Sequence, residues 1–487
     1  MSAHIVTGPA LHQRIGFLLG PVAAVLVLMF FDVEGVSEAG VRTAAVASLM
    51  AIWWATEATP VAVTAFLPLV LFPALGVSPM AETAPAYAHP IIYLFLGGFV
   101  MALGIERTGL HRRVALGVFR LAGMNGRSLV AGFMAAAAVI SMWISNTSTT
   151  LMLLPIAMSV IVVIRETMGS LDDRQRRDFE TSLLLGLAYG ATLGGVATLV
   201  GTPPNAFMAG FMETTYGVEI DFRRWMVVGV PVSLIMLPAT WFLLTRIAFK
   251  VDFRSNTEAK QHIADLVSGL GPMSKGEFRI AILFVLLVLG WLFRKPLASA
   301  TGLAELSDAG IAMAAAIAAF IIPRGEQRES LVTWEDTKRL PWGVLILFGG
   351  GLALANAMTS SGLTQWLGAE LAPLGTINIA ILVVASAALV IFLTELTSNL
   401  ATTATFLPVM AAIAVETGQD PLIFVIPVTL AASCAFMLPV ATPPNAIVFS
   451  SGAVSIPRMM RAGVLLNLVG VSILSLIAIL LVPRVFG

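Results

Sequence analysis

Charge is what this sequence has least of. Asp, Glu, Lys and Arg make up 11% of its 487 residues, whereas a soluble domain carries about 25%. Hydrophobic residues make up 58%, and the mean hydropathy is +0.92. These values make the bilayer the solvent, in which only helices or closed barrels satisfy the backbone. The apolar runs are longer than the roughly ten-residue alternating strands of a membrane barrel, so the sequence predicts an all-α polytopic membrane protein.

The sequence also lacks the marks of an enzyme or a nucleic-acid binder. Lys and Arg balance Asp and Glu at 28 each, so no nucleic-acid partner is expected. The single cysteine, Cys434, excludes an internal disulfide. We find no Ser–His pairing, metal-ligand spacing or glycine-rich phosphate loop, and expect neither an enzyme nor an organic cofactor. The histidines fall in terminal or loop segments of the predicted topology and form no metal cluster: His4, His12, His89, His111 and His262.

Three short motifs occur twice in this apolar sequence, in the same order. The glycine pair and the Ser-Asn motif repeat at a shift of 253 residues. Repeated polar and helix-breaking motifs predict a transporter built from two halves, with its site between them. The copies are Gly97-Gly98 and Gly350-Gly351; Ser145-Asn146-Thr147 and Ser398-Asn399-Leu400; and Thr202-Pro203-Pro204-Asn205 and Thr442-Pro443-Pro444-Asn445.

Hydropathy predicts about eleven transmembrane helices and two further stretches with polar centres. Each of those stretches, 128–164 and 377–416, holds two apolar arms that are short for a bilayer core of about 30 Å. Their Ser-Asn motifs lie near the midpoints. The predicted spans are 16–31, 41–57, 60–77, 90–105, 181–215, 226–249, 278–293, 306–323, 341–358, 421–451 and 462–485.

The charge flanking the two stretches predicts how they lie. Arginines lie on both sides of 128–164, so both of its ends should face the cytoplasm. No Lys or Arg occurs between Arg339 and Arg458, and acidic residues flank 377–416, so both of its ends should face outside. Each stretch is then a re-entrant hairpin, one entering from each side, with the Ser-Asn motif at its tip. This is an inverted-topology repeat, with the N-terminus in the cytoplasm.

The predicted domain boundaries follow from this repeat. Residues 1–40 hold an N-terminal span and 251–277 form a cytoplasmic linker between the halves. The first half, 41–250, contains the hairpin 128–164 and the broken helix 181–215. The second half, 278–487, contains the hairpin 377–416 and the broken helix 421–451.

The Pro-Pro motifs should open their helices at mid-membrane, because proline removes a donor and clashes one turn back. Free carbonyls there attract cations, and the following helix N-terminus attracts anions. The hairpin tips add the oxygen ligands that hard cations prefer. Plain proline kinks and hydrogen bonds between helices are the alternatives. The resulting candidate Na⁺ ligands are Ser141, Ser145, Asn146 and the Gly201 carbonyl in the first half, and Thr394, Ser398, Asn399 and the Ala441 carbonyl in the second.

Positive charge is missing where an anion would bind. No Lys or Arg lies near either tip or either Pro-Pro break in the sequence. An anionic substrate would then depend on hydroxyls, amides, helix N-termini and bound Na⁺, which couples the ion to the anion. Proton coupling is less favoured, although Glu395 and Glu57 are functional candidates because intramembrane carboxylates usually have a role. Each of these could instead be paired or lie near an interface.

These motifs resemble those of the divalent anion:sodium symporters (DASS), the family of INDY-type Na⁺/dicarboxylate and citrate carriers. The resemblance covers nearly the whole chain and is clearest over 432–448. It implies a homodimer in which each protomer has a scaffold domain and an elevator-type transport domain. The residues it implies are Ser141, Ser145, Asn146 and Gly201 for a first Na⁺; Thr394, Thr397, Ser398, Asn399 and Ala441 for a second; and Asn146, Thr147, Thr202, Asn399, Thr442 and Pro443 for the substrate.

One departure bears on the substrate. Position 400 is Leu where the fullest form of the family motif has Thr, so one end of the pocket loses a hydroxyl. The leading hypothesis is Na⁺-coupled uptake of C4-dicarboxylates (succinate, malate, fumarate) across the cell inner membrane. A citrate, tricarboxylate or sulfate symporter and a sodium-independent dicarboxylate exchanger are its rivals. An ion channel and a membrane-embedded enzyme are alternatives from other classes.

Overall fold

The computed structural model describes residues 11–31, 33–121, 125–167, 171–253, 261, 264–265, 268–325, 329–371, 373 and 377–486. Within these ranges the regular structure is helical, with no strand longer than an isolated bridge such as that between Pro323 and Ser330. The prediction of an all-α fold is confirmed. His4, His262, the first ten residues and, within the predicted linker 251–277, residues 254–260, 262–263 and 266–267 lie outside the described residues.

Helix ends follow local capping chemistry. The Ser37 side chain accepts a hydrogen bond from the Gly40 N–H, and reciprocal capping boxes begin the helices at Asp172 and Ser274. Helix Leu11–Phe30 belongs to the N-terminal segment. The helices of the first half are Glu38–Thr56, Val61–Thr64, Leu67–Leu75, Met80–Thr83, the 3₁₀ turn Ala84–Ala88, Pro90–Thr108, Leu110–Leu121, Gly126–Ser141, Asn146–Thr167, Asp173–Val196, Pro203–Tyr216, Phe222–Phe242 and the π turn Leu243–Ala248.

The second half repeats this order of elements. Its helices are Lys275–Leu292, Arg294–Thr301, Asp308–Ile321, the 3₁₀ turn Trp334–Arg339, Trp342–Ser360, Leu363–Leu371, Ile379–Leu393, Asn399–Glu416, Leu422–Ala432, Pro443–Ser450, Ile456–Leu480 and Val482–Phe486.

Several predicted boundaries are corrected. The span 60–77 is two short helices, and the first broken helix begins at Asp173, well before residue 181, because Asp172 caps it there. Sequence reasoning also missed the short helices Leu110–Leu121 and Leu363–Leu371, which precede the two hairpins. Seven described helices are long and apolar enough to cross a bilayer, and a pair bent by 85°, Lys275–Leu292 with Arg294–Thr301, would make an eighth. The count of eleven spans therefore stays a prediction.

Both predicted hairpins are helix–turn–helix units of matching form. In the first, residues 142–145 form the tip between Gly126–Ser141 and Asn146–Thr167. In the second, residues 394–398 form the tip between Ile379–Leu393 and Asn399–Glu416. The two broken helices are unwound over 197–202 (the first break) and 433–442 (the second break), where each Pro-Pro pair begins the next helix.

The duplicated glycines explain how the two halves interlock. A Cβ placed on Gly97 would lie 2.6 Å from the Ala312 backbone, and one on Gly350 would lie 2.3 Å from the Ala65 carbonyl oxygen. Helix Pro90–Thr108 of the first half thus packs on Asp308–Ile321 of the second. Helix Trp342–Ser360 packs in return on the 61–75 region of the first. Close approach of this kind needs a residue without a side chain.

Ion pairs join the segments that the sequence places on one side of the membrane. At the predicted cytoplasmic end, Arg107 contacts Glu329 and Asp336 at 3.0 Å, and Arg458 contacts Asp178 at 2.5 Å. Burial would raise the pKa of Asp336, but hydrogen bonds from Thr333 and the nearby Arg107 guanidinium hold it below its usual value. The other end has a separate cluster of Glu219, Asp221, Arg294 and Asp308. This grouping supports the predicted sidedness, which stays a prediction together with the domain boundaries.

Candidate functional site

The two tips and the two breaks meet around one cavity. Its volume is about 1110 Å³, and residues 144–148, 200–204, 396–400 and 439–444 all line it. The four polar motifs are far apart in sequence and fall into pairs from opposite halves. The geometry therefore brings together the residues that the repeated motifs singled out.

All but two of the predicted site residues line this cavity. The exceptions, Ser141 and Thr394, are fully buried at equivalent positions behind the tips. The Ser141 hydroxyl donates to Asn146 Oδ1 at 2.6 Å, and the Thr394 hydroxyl donates to Asn399 Oδ1 at 2.9 Å. The lining residues are Ser145, Asn146, Thr147, Gly201, Thr202, Thr397, Ser398, Asn399, Ala441, Thr442 and Pro443.

The first break is folded against the first tip. A Cβ on Gly195 would lie 2.5 Å from Asn146 Oδ1 and 2.9 Å from the Gly201 carbonyl oxygen. Two predicted cation ligands, Asn146 and the Gly201 carbonyl, therefore both lie against the Gly195 backbone, which has no side chain. The Thr198 hydroxyl donates to the Met142 carbonyl at 2.5 Å, which ties the break to the tip.

Asn205 and Asn445, which follow the Pro-Pro pairs, hold the carbonyls of the breaks. Asn205 Nδ2 donates to the Thr198 carbonyl at 2.8 Å and to the Val196 carbonyl at 3.2 Å. Asn445 Nδ2 donates to the Ala435 and Leu438 carbonyls, each at 3.1 Å. Both side chains are completely buried, and both Oδ1 atoms lack a partner among the described residues. Sequence reasoning did not assign these two residues to the site, although their place after each Pro-Pro pair was a usable signal.

The cavity wall carries more charge than the sequence indicated. Glu57, Glu106 and Arg339 line it, so two carboxylates oppose one guanidinium. Among the described lining residues Arg339 is the only Lys or Arg, which corrects the expectation that the site is free of basic residues. Sequence reasoning missed Arg339 because it is distant from the motifs along the chain. Its charge is offset by Glu106, 2.9 Å away, so the wall offers an anion no net positive field.

Glu57 has an unusual backbone. It is the only described non-glycine residue with positive φ, at 48°, and it ends helix Glu38–Thr56 in the left-handed region that favours glycine. Its side chain is exposed on the cavity wall. Strain of this kind is often found at functional sites, which keeps Glu57 among the candidates.

Two histidines contradict the expectation that all lie in termini or loops. His12 is within helix Leu11–Phe30 and lines the cavity, and His111 is within helix Leu110–Leu121, with Nδ1 3.0 Å from the Ile105 carbonyl oxygen. Sequence periodicity missed the starts of both helices. No group of three or more His, Cys, Asp or Glu side chains suited to a transition metal occurs in the described part of the chain.

Around the tips and breaks, the chemistry of the cavity is that of neutral hydroxyl, amide and carbonyl groups. Hydroxyl, amide and carbonyl oxygens suit a hard monovalent cation. The helices that begin at Asn146, Pro203, Asn399 and Pro443 direct their N-termini to the cavity, where they favour an anion. The arrangement can bind small cations and an anion close together.

Nearly the whole chain matches one known protein family. Residues 12–485 match the family described as the sodium:sulfate symporter transmembrane region. The chain is 39% identical, over 479 residues, to the sodium-dependent dicarboxylate transporters SdcS of Staphylococcus saprophyticus and of Staphylococcus aureus. The match covers 98% of this chain and 92% of each relative.

Solved transporters share the fold at low sequence identity. The YdaH transporter of Alcanivorax borkumensis superposes with a TM-score of 0.56 at 13% identity, covering 82% of this chain and 86% of that one. MtrF of Neisseria gonorrhoeae superposes with a TM-score of 0.57 at 10% identity, covering 97% and 96%. The family and these relatives are membrane transporters, not enzymes. This chain is a polytopic membrane protein that belongs to the sodium:sulfate symporter (DASS) family.

Proposed function

We propose that this protein is a sodium-coupled symporter of C4-dicarboxylates such as succinate, malate and fumarate. The names of the 39% identical relatives support sodium and a dicarboxylate. Their bacterial origin supports the cell inner (plasma) membrane as the location. The observation that carries the proposal is the single cavity formed by both tips and both breaks, whose wall has no net positive charge.

In the proposed mechanism, Na⁺ binds before the anion can. One ion would be held by Ser145, Asn146 and the Gly201 carbonyl, with Ser141 behind. A second would be held by Thr397, Ser398, Asn399 and the Ala441 carbonyl, with Thr394 behind. The two cations then create the positive field that the wall lacks. The substrate carboxylates bind between them, to Asn146, Thr147, Thr202, Asn399, Thr442 and Pro443.

An elevator movement is part of the proposal. The hairpins and broken helices pack on one another, on the short helices Leu110–Leu121 and Leu363–Leu371, and on the helices Phe222–Phe242 and Ile456–Leu480. The helices of the 38–108 and 275–360 regions form a second group. The first group would be the moving transport domain and the second the scaffold, which would also hold a homodimer interface. The charged wall residues Glu57, Glu106 and Arg339 lie at the predicted cytoplasmic end, so this conformation would be open to the cytoplasm.

Uptake into proteoliposomes tests the proposal. Radiolabelled succinate should accumulate under an inward Na⁺ gradient and not under a K⁺ gradient of equal size. Unlabelled fumarate and malate should compete better than citrate or sulfate. Stronger competition by citrate or sulfate would replace the substrate assignment, and equal counterflow without Na⁺ would favour an exchanger.

The tip asparagines supply the site-specific prediction. Asn146→Ala and Asn399→Ala should each lower Na⁺-dependent uptake at least about ten-fold, because each removes hydrogen bonds to charged ligands. Asn378→Ala is the matched control: it removes a side-chain cap at Ala380 N, 2.9 Å away, outside the cavity. Wild-type uptake in both tip variants would remove the site assignment.

A further inference from the structure

Glu395 lies in the second tip and is 3% exposed, yet the proposed mechanism gives it no ligand to bind. Its carboxylate accepts hydrogen bonds from three consecutive backbone N–H groups of the second break. Phe436 N is 2.7 Å from Oε1, Met437 N is 2.9 and 3.0 Å from the two oxygens, and Leu438 N is 3.1 Å from Oε2. Asn467 Nδ2 adds a fourth donor at 2.8 Å.

These bonds fix the direction of the peptide planes in the second break. Because a trans peptide directs its N–H and C=O to opposite sides, the carbonyls of Ala435 and Phe436 point away from Glu395. There each finds a donor: Asn445 Nδ2 reaches the Ala435 oxygen at 3.1 Å, and the Tyr189 hydroxyl reaches the Phe436 oxygen at 2.6 Å. The unwound segment is therefore held from both sides.

The first half has no equivalent carboxylate. A shift of 253 residues places Met142 at the position of Glu395. There the tip meets its break through one bond, from the Thr198 hydroxyl to the Met142 carbonyl. The two halves of the site are thus alike in their ligands and different in how firmly the backbone is held.

We infer that Glu395 is a positioning residue that fixes the second break in its unwound form and so preforms the second half of the binding site. The ionised carboxylate fits this role because all four of its hydrogen-bond partners in the described ranges are neutral N–H donors. The Ala441 carbonyl, a ligand in the proposed second cation site, belongs to the same break. The expected effect of Glu395 on transport rests on the proposed function. Its expected effect on the structure of the second break does not.

The only cysteine of the chain allows the structure of the second break to be probed without a transport assay. Cys434 lies within the second break and is completely buried. Glu395→Gln keeps the shape but turns one acceptor oxygen into an NH₂ donor that faces backbone N–H groups. We expect maleimide to label Cys434 at least about ten-fold faster in this variant, because charge-assisted bonds that close the break are lost.

Thr198→Val is the matched control, because it removes the bond between tip and break in the first half only. Its labelling rate should stay within about two-fold of wild type. A rate for Glu395→Gln in the same range, with the variant monodisperse in detergent, would overturn the inference. Should Glu395→Gln not be recovered folded, Glu395→Asp and Asn467→Leu decide instead: both must label faster than wild type, and wild-type rates in both would overturn it.

Sodium activation of uptake separates positioning from a general loss of folded protein. In Glu395→Gln the Na⁺ concentration for half-maximal uptake should rise at least about five-fold, more than the succinate KM at saturating Na⁺. A merely structural role would lower the maximal rate and leave the half-saturating Na⁺ concentration unchanged. If wild-type uptake needs no Na⁺, the proposed function fails, while the labelling experiment still judges Glu395.

Discussion

At the scale of single residues, each asparagine at a tip of the candidate site accepts a hydrogen bond from a buried hydroxyl. The Ser141 and Thr394 hydroxyls donate to the Oδ1 atoms of Asn146 and Asn399 from behind the tips. A hydroxyl in this position orients the amide, so that its Nδ2 donors stay available to the cavity. In the proposed site, small buried side chains would therefore take the place that charged residues have in the anion sites of soluble proteins.

Leu400 gives a prediction about substrate choice. It lines the cavity in the first turn after the second tip, where the first half has Thr147. Leu400→Thr adds a hydroxyl beside the proposed carboxylate position. The ratio of the half-saturating succinate and citrate concentrations should change between about two- and ten-fold.

The sodium dependence should not change in Leu400→Thr, because the leucine side chain has no oxygen to offer a cation. Uptake is measured with both labelled substrates over a range of Na⁺ concentrations. Thr147→Leu is the reciprocal control at the other end of the pocket and should also alter the ratio. A change in sodium dependence alone would contradict the placement of residue 400 on the substrate side.

Individual site residues were predictable where polarity and helix-breaking coincide. Ser, Asn and Thr stand out in apolar sequence, and they mark the tips. Arg339 was not predictable, because its contact with the cavity arises only from the packing of the two halves. The role of Asn445 was missed although its place after the Pro-Pro pair was a usable signal, because the sequence does not show which carbonyls of an unwound segment need a donor.

At the scale of elements, glycine decides how closely two helices approach. Gly97→Ala should lower the thermal unfolding midpoint in detergent, because its Cβ would lie 2.6 Å from the Ala312 backbone, and overpacking costs about 1–3 kcal/mol. Gly117→Ala is the matched control, since no atom lies within 4 Å of a Cβ there. That variant should be as stable as wild type or slightly more stable. Equal midpoints for Gly97→Ala and wild type would show that this crossing tolerates a methyl group.

The hairpins and breaks were predictable as elements, but their ends were not. Hydropathy found the apolar arms, and the Pro-Pro pairs found the unwound segments. The capping residue Asp172 set the start of the first broken helix among charged residues that hydropathy excludes from a span. The amphipathic helix Leu110–Leu121 was missed for the same reason, since its basic face lowers its mean hydropathy.

At the scale of the whole molecule, sidedness is the feature that a direct measurement must decide. In a Cys434→Ala background, Glu416→Cys should react with a membrane-impermeant maleimide in intact cells. Ser128→Cys should react only after permeabilisation, because its hairpin is predicted to enter from the cytoplasm. Cys434→Ala alone supplies the blank. Reaction of both positions from the same side would end the inverted-repeat interpretation.

The two-half architecture was predicted because three motifs recur in the same order, two of them at a shift of 253 residues. The matching order of helices in the structure agrees with it. What the sequence could not indicate is which helix of one half packs on which helix of the other, because small residues such as Gly97 and Ala312 are common throughout the chain.

That reciprocal packing predicts that neither half folds stably in the membrane without the other. Helix Pro90–Thr108 has its partner surface at Ala312, and Trp342–Ser360 has its own at Ala65. A fragment ending between the halves would leave both surfaces bare in the lipid. The halves should therefore be recoverable as a functional unit only when both are synthesised in the same membrane.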